Sequence, residues 1–123
     1  MGGYGSPLLR EGIRKMAITV NIRYSGKDGN ARRFAEEMVS SGTAAAIRAE
    51  AGNIRYEYYQ PFDDPETVLL IDSWEDQAAI DAHHASPMMS AIAALREKYD
   101  LHMTVERFID LKENEADMKF IRK

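Results

Sequence analysis

The chain has 123 residues, a formal net charge of −4 and no cysteine. Hydrophobic residues make up 45% and charged residues 29%, which is typical of one folded globular domain and excludes a mainly disordered chain. The acidic balance argues against a general nucleic-acid binder, which needs a basic face. No apolar stretch approaches the ~20 residues of a membrane-spanning helix. We therefore expect a protein that binds neither nucleic acid nor membrane and, since cysteine is absent, one suited to the cytoplasm.

The two ends differ from the middle in composition. Residues 1–15 are rich in Gly and lack the apolar core of a signal peptide, which indicates a disordered tail or a vector remnant. Residues 110–123 are dense in mixed charge and predict a loosely held C-terminal tail. The folded domain is therefore expected to span residues 16–109.

Four segments carry the patterns of β-strands, and they are residues 16–24, 53–59, 66–74 and 102–109. The first two alternate between apolar and polar positions, as half-buried strands do. The third holds the run Val68-Leu69-Leu70-Ile71, which is apolar on both faces and predicts a central, covered strand.

Helical patterns separate these strands, at residues 31–51, 76–84 and 87–99. Ser40-Ser41-Gly42 predicts a bend in the first helix, and Gly52 is placed to terminate it. Short polar side chains are expected to cap the first turns: Asp28 or Asn30 for the first helix, Asp76 for the second and Ser86 for the third.

The order β-α-β-β-α-β predicts the ferredoxin-like α+β fold, with a four-stranded antiparallel sheet and both helical layers on one face. The even-numbered residues of the first strand should face the helices, which puts Asn21 on the opposite face. Leu69 and Ile71 should share that opposite face. A bare apolar sheet face calls for a partner, so we predict a homodimer packed sheet against sheet.

Several specific residues follow one another within this order: Tyr56-Glu57 after Gly52, the turn Asp63-Asp64-Pro65, then Trp74-Glu75-Asp76-Gln77-Ala78-Ala79-Ile80-Asp81-Ala82-His83, and Ser86-Pro87. Together they resemble the antibiotic biosynthesis monooxygenase (ABM) domain, in particular its quinol monooxygenase-like members, over residues 16–109. The resemblance implies a dimeric α+β barrel with a site between each sheet and its helices. Several members oxidise phenolic or quinol-like aromatics with O₂ and no metal or flavin, so it also implies no cofactor.

The resemblance and the residue chemistry together select the site. The candidate catalytic residues are His83, Trp74 and Asp72, and the candidate substrate-binding residues are Tyr56, Tyr58, Ile22 and Met88. An imidazole near pKa 6.5 suits a general base, and a buried carboxylate could also take a proton. Each residue has a structural alternative: Trp74 and the tyrosines as core, His83 as a helix-terminal histidine, and Asp72 as one half of an ion pair.

The predicted function is a cofactor-independent monooxygenase that oxidises a small quinol or polyphenol with O₂. The alternatives are an isomerase of a small carbonyl or sugar-like signalling compound, and a small-molecule-binding dimer without catalysis. Haem-degrading members that the domain resembles use an Asn on the first strand. Asn21 is expected to point away from the site, so haem degradation is disfavoured. His83 and His84 lie about 100° apart on a helix, so they make a poor metal pair. Many relatives carry a second His where this chain has Met88.

Overall fold

The structure, a computed structural model, describes residues 16–111 and 114–123. Its strands are β1 (Ile18–Ser25), β2 (Asn53–Tyr59), β3 (Thr67–Trp74) and β4 (His102–Ile109). They form one antiparallel sheet in the order β2-β3-β1-β4. The helices are α1 (Asn30–Ser40), α2 (Thr43–Arg48), α3 (Gln77–His84), α4 (Met88–Lys98) and α5 (Glu115–Met118). The predicted ferredoxin-like α+β fold is confirmed.

The register of the sheet decides which side chains face the helices. Ile22 of β1 lies opposite Leu70 of β3 and Val105 of β4, and Val20 lies opposite Asp72. Residues directly opposite in antiparallel strands share a face, so the even-numbered positions of β1 and β3 line the helix side. The core accordingly includes Val20, Ile22, Tyr24, Val68, Leu70 and Trp74 from these two strands.

The first predicted helix is in fact two helices. Ser41 ends α1, and Gly42 adopts a left-handed backbone with φ of 84° just before α2 begins. Only glycine takes this conformation without a steric penalty, so the expected bend becomes a break. The second helix then ends at Arg48, and Gly52 takes the left-handed φ of 84° in the turn that leads into β2.

One helix cap forms as predicted: the Asp76 side chain accepts a hydrogen bond from the Ala79 N–H at 2.9 Å. The prediction for Ser86 was wrong, because α4 has no side-chain cap and the Ser86 hydroxyl caps nothing. Helix α4 instead begins after Pro87, whose fixed φ suits a first turn.

The cap predicted for α1 was also wrong. Gly29 stands at the cap position, and neither Asp28 nor Asn30 caps the helix with its side chain. The Glu66 carboxylate reaches across instead and accepts from the backbone N–H groups of Asp28 at 2.8 Å and Gly29 at 3.0 Å. A distant carboxylate therefore replaces the local one at this helix start.

Parts of the sheet remain uncovered in a single chain. Asn21, Leu69 and Ile71 lie half-buried on the face away from the helices, as predicted. Strand β4 is exposed at every position, including the helix-side Val105, because the helices do not extend over it. In the predicted tail, the described residues form only the short α5, which buries none of its residues. Within residues 16–111 and 114–123, no helix is long and apolar enough to cross a membrane.

Candidate active site

Strand β3 places Asp72 and Trp74 side by side under the helices. They are two residues apart, so the two-residue period of a strand points both side chains to the same face. Both are buried, and the Trp74 Nε1–H donates to Asp72 Oδ1 at 2.5 Å. Burial raises the pKa of Asp72 to about 7; the bond from Trp74 opposes this rise, and the nearby Glu50 adds to it. The Asp72 carboxyl can therefore gain or lose a proton near neutral pH.

His83 lies in the last turn of α3, and its side chain is only 5% exposed. Its ring stacks on Trp74, with ring centres 4.7 Å apart and planes 29° from parallel. His83 Nδ1 lies 2.7 Å from Glu50 Oε2. His84, the next residue, is exposed, as the helical rotation of about 100° per residue predicts. The helix thus presents His83 alone to the sheet.

Tyr56 and Tyr58 of β2 add two phenols to this cluster. The Tyr58 hydroxyl donates to the Tyr56 hydroxyl at 3.2 Å, and the Tyr56 ring centre lies 6.5 Å from that of His83. Burial raises the pKa of both phenols well above the ordinary value. Both tyrosines therefore stay neutral around pH 7 and can act only as hydrogen-bond donors and acceptors.

A guanidinium reaches the same interior from α4. Arg96 donates to the Tyr24 hydroxyl through Nη2 at 2.8 Å and through Nε at 3.2 Å. Tyr24 is fully buried, and burial raises its pKa although Arg96 opposes that rise. Arg96 takes part in no ion pair within the described parts of the chain. It therefore places a positive charge beside Tyr24, with no carboxylate at ion-pair distance among the described residues.

The structure brings five of the seven candidate residues into one connected cluster, and these are Asp72, Trp74, His83, Tyr56 and Tyr58. The other two, Ile22 and Met88, pack in the apolar core that surrounds the cluster. They supply hydrophobic surface and no polar contact.

Sequence reasoning missed Glu50 and Arg96. Arg96 follows the buried Ile92 by four residues, so its helix spacing could have indicated an inward-facing position. Glu50 lies in a turn and carried no such periodic signal. Its role depends on a contact with a residue 33 positions later in the chain.

A wide surface groove of about 770 Å³ lies on the outer side of α1 and includes Tyr58 and Tyr99 in its lining. Tyr58 is the residue that this groove shares with the buried cluster. Among residues 16–111 and 114–123, no three His, Asp or Glu side chains converge as a metal site would require. The cluster therefore places two ionisable groups, Asp72 and His83, beside aromatic side chains.

Comparison with known proteins agrees with this architecture. The family model described as antibiotic biosynthesis monooxygenase matches residues 17–95. No curated protein is significantly similar in sequence.

Among solved structures, SnoaB from Streptomyces nogalater, described as a cofactor-independent oxygenase, superposes with a TM-score of 0.67 at 18% identity and covers 81% of this chain and 98% of its own. PA3566 from Pseudomonas aeruginosa superposes with a TM-score of 0.69 at 22% identity, covering 80% of this chain and 98% of its own. SO0527 from Shewanella oneidensis superposes with a TM-score of 0.65 at 24% identity, covering 78% of this chain and 92% of its own. At these identities the superpositions establish the shared fold.

The family match covers more than half of the chain, and it runs from the start of the sheet through most of α4. It includes the whole Asp72–Trp74–His83 cluster. The chain belongs to the antibiotic biosynthesis monooxygenase family.

Proposed function

We propose that this protein is a cofactor-independent monooxygenase that oxidises a small quinol or polyphenol with O₂. The observation that carries the proposal is the buried stack of Trp74 on His83, with the Asp72 carboxylate bonded to the indole. The stack provides aromatic surface of the kind that a flat substrate packs against, and oxidation of a phenol needs a proton acceptor shielded from water.

The first step in this proposal is removal of a phenolic proton. His83 takes the proton, and Asp72, with a pKa of about 7, can hold a second proton near neutral pH. Burial among aromatic side chains keeps water away from the phenolate that forms. The positive charge of Arg96 stabilises negative charge near the tyrosines.

The phenolate then supplies the electrons that reduce O₂. When a phenol becomes a quinone, one oxygen atom enters the ring and the other leaves as water, so the substrate provides every electron. The residues named above bind, orient and exchange protons, and none of them changes oxidation state. The SnoaB likeness is compatible with this chemistry, because that protein is described as a cofactor-independent oxygenase.

The test is oxygen consumption with a panel of reduced naphthoquinols and simple polyphenols, each corrected for autoxidation. His83→Ala and Trp74→Phe are compared with His84→Ala, which removes the exposed neighbouring imidazole and serves as the matched control. We expect protein-dependent uptake that falls at least tenfold in His83→Ala and stays unchanged in His84→Ala. Isotopically labelled O₂ should leave one labelled atom in the product. Absence of uptake with every compound would overturn the proposal.

We also propose that the protein works as a cytoplasmic homodimer, packed through the sheet face that the helices leave bare. Leu69 and Ile71 lie half-buried there, and Phe108 of β4 is 48% exposed on the same face. The Asn21 Oδ1 atom on that face is buried without a hydrogen-bond partner in the described chain. A second copy would cover the apolar side chains and could supply a donor.

Light scattering during size exclusion tests the dimer. Ile71→Glu puts a charge in the middle of the proposed contact and should give a monomer. Val39→Glu changes an exposed valine on α1, far from that face, and should leave a dimer. A wild-type monomer at micromolar concentration would contradict this assignment.

A further inference from the structure

The turn between α2 and β2 is held unusually close to α3. A Cβ atom on Gly52 would lie only 2.5 Å from the Ala79 Cβ, so glycine alone permits the approach. The Glu75 N–H donates to the Gly52 carbonyl at 2.8 Å and fixes the contact. Glu50 belongs to this turn, and its backbone N–H is bonded to the Ile47 carbonyl at 3.0 Å. The close packing therefore brings the Glu50 side chain to α3.

The Glu50 carboxylate meets His83 at a single ring nitrogen. Glu50 Oε2 lies 2.7 Å from Nδ1, the Trp74 ring stacks on the face of the imidazole, and the Tyr56 ring centre lies 6.5 Å from that of His83. A carboxylate can only accept here, so Nδ1 must carry a hydrogen. In the neutral imidazole the lone pair then lies on Nε2.

We propose that Glu50 is the positioning residue of the site: it fixes His83 in the Nδ1–H tautomer, leaves Nε2 as the proton acceptor, and stabilises the imidazolium once Nε2 is protonated. Glu50 acts through His83 and does not itself touch the substrate. This inference rests on the proposed function in one respect, namely that His83 takes a proton during turnover.

The surroundings of Glu50 strengthen the inference. Its second oxygen, Oε1, is buried and has no hydrogen-bond partner in the described chain, so His83 is the only side chain that anchors the carboxylate. A carboxylate that is partly buried and held by one imidazole binds that imidazole most strongly when the ring is charged. The pair is therefore suited to holding a proton temporarily.

Other ionisable groups lie near the Glu50–His83 pair. Asp72 on β3 lies close enough for Glu50 to raise its pKa. Tyr56 on β2 stays neutral because burial raises its pKa. His84 has its ring centre 5.8 Å away but is exposed to water. Among the residues that the structure describes, only Glu50 touches a ring nitrogen of His83, so we infer that it selects the tautomer.

The decisive experiment is nitrogen NMR of isotopically labelled histidine in the full chain, which needs no turnover. In the wild-type protein we expect a protonated Nδ1 and an unprotonated Nε2 for His83 when the ring is neutral. Glu50→Gln should bring the two nitrogen signals towards each other, because an amide can either accept or donate and no longer selects one tautomer. A wild-type spectrum with the hydrogen on Nε2 would overturn the inference.

Kinetics provide the second measurement once a substrate is in hand. Glu50→Gln should lower kcat by about tenfold or more while KM changes by less than about twofold, because binding is retained and only the base is misaligned. Glu50→Asp keeps the charge and should recover part of kcat. Glu75→Gln removes an exposed carboxylate from the same neighbourhood and serves as the matched control, with rates and spectra unchanged.

The outcomes separate the two proposals. Unchanged nitrogen signals and unchanged kcat in Glu50→Gln would overturn the positioning role while leaving the monooxygenase intact. A wild-type protein that consumes no oxygen would overturn the proposed reaction, but the tautomer spectrum would still decide whether Glu50 orients His83. If Glu50→Gln fails to fold, the wild-type spectrum and Glu50→Asp together decide the question.

Discussion

The Trp74 indole N–H donates to the Asp72 carboxylate at 2.5 Å, and both side chains are buried on the helix side of β3. A carboxylate in this position is costly when ionised, since it has left water and gains one donor in exchange. This relationship ties protein stability to pH, and it decides how much charge the site holds near neutrality.

Asp72→Asn should flatten the dependence of stability on pH. The pKa of Asp72 in the folded protein, about 7, lies above its ordinary value, so the folded state keeps a proton that the unfolded chain releases. The free energy of unfolding should therefore fall as pH rises from about 4 to about 7, by up to about 1.4 kcal/mol for each pH unit. Urea unfolding across this range measures the slope.

The asparagine variant should lose most of that slope, because its side chain keeps the acceptor for Trp74 and cannot ionise. Asp63→Asn changes an exposed carboxylate in a turn, and this variant should keep the wild-type slope of unfolding free energy against pH. An equal slope in wild type and Asp72→Asn would show that Asp72 does not titrate in this window.

Trp74→Phe removes the one side-chain donor to Asp72 among the described residues and part of the surface stacked on His83. We expect a loss of about 1–3 kcal/mol in the free energy of unfolding. The loss should be larger at about pH 8 than at about pH 5, because the ionised carboxylate depends more on its donor. Urea unfolding at both pH values makes the comparison, and an equal loss would mean that packing alone accounts for the effect.

Arg96 and Tyr24 should be energetically coupled. Two guanidinium N–H groups converge on one buried hydroxyl, so removing either partner leaves the other without its bond. A double-mutant cycle with Arg96→Met and Tyr24→Phe is expected to give a coupling energy of about 1–2 kcal/mol. The same cycle with Tyr59→Phe, whose exposed hydroxyl bonds to Glu57, should give a value near zero. Similar values in both cycles would count against a specific bond.

Gly52→Ala should be far more harmful than Gly42→Ala. Both glycines have φ of 84°, so the backbone strain of substitution is comparable, at about 1 kcal/mol. Only Gly52 faces an obstacle, because its Cβ would come within 2.5 Å of the Ala79 Cβ, whereas nothing lies within 4 Å at Gly42.

We expect thermal unfolding to show that Gly52→Ala lowers the free energy of unfolding by about 1–3 kcal/mol more than Gly42→Ala does. The Gly52 substitution should also disturb the tautomer of His83, since it pushes the turn of Glu50 away from α3. A Gly52→Ala protein as stable as Gly42→Ala would show that the turn and the helix can separate without cost.

Much of the fold could be predicted from the sequence because it depends on interactions between residues close together in the chain. Alternation in β1 and β2 and the apolar run in β3 identify strands because side chains of a strand point to opposite faces in turn. Asp76 caps α3 because its oxygen needs only the N–H three residues later. The helix-side position of Asp72, Trp74, Tyr56 and Tyr58 follows from the same two-residue period.

The remaining features depend on contacts between distant residues, which no local pattern contains. The Glu66 carboxylate accepts from the backbone at the start of α1, where nearby polar side chains were expected to do so. Arg96 donates to the Tyr24 hydroxyl across the core. The pairing of Glu50 with His83 exists only because Gly52 lets a turn pack against α3. The sequence by itself determined the four strands, most of the helices, the faces of the strands and most of the aromatic cluster, since these follow from periodicity along the chain. Only the tertiary structure decided which charged groups meet, because side-chain partners far apart in sequence are selected by packing.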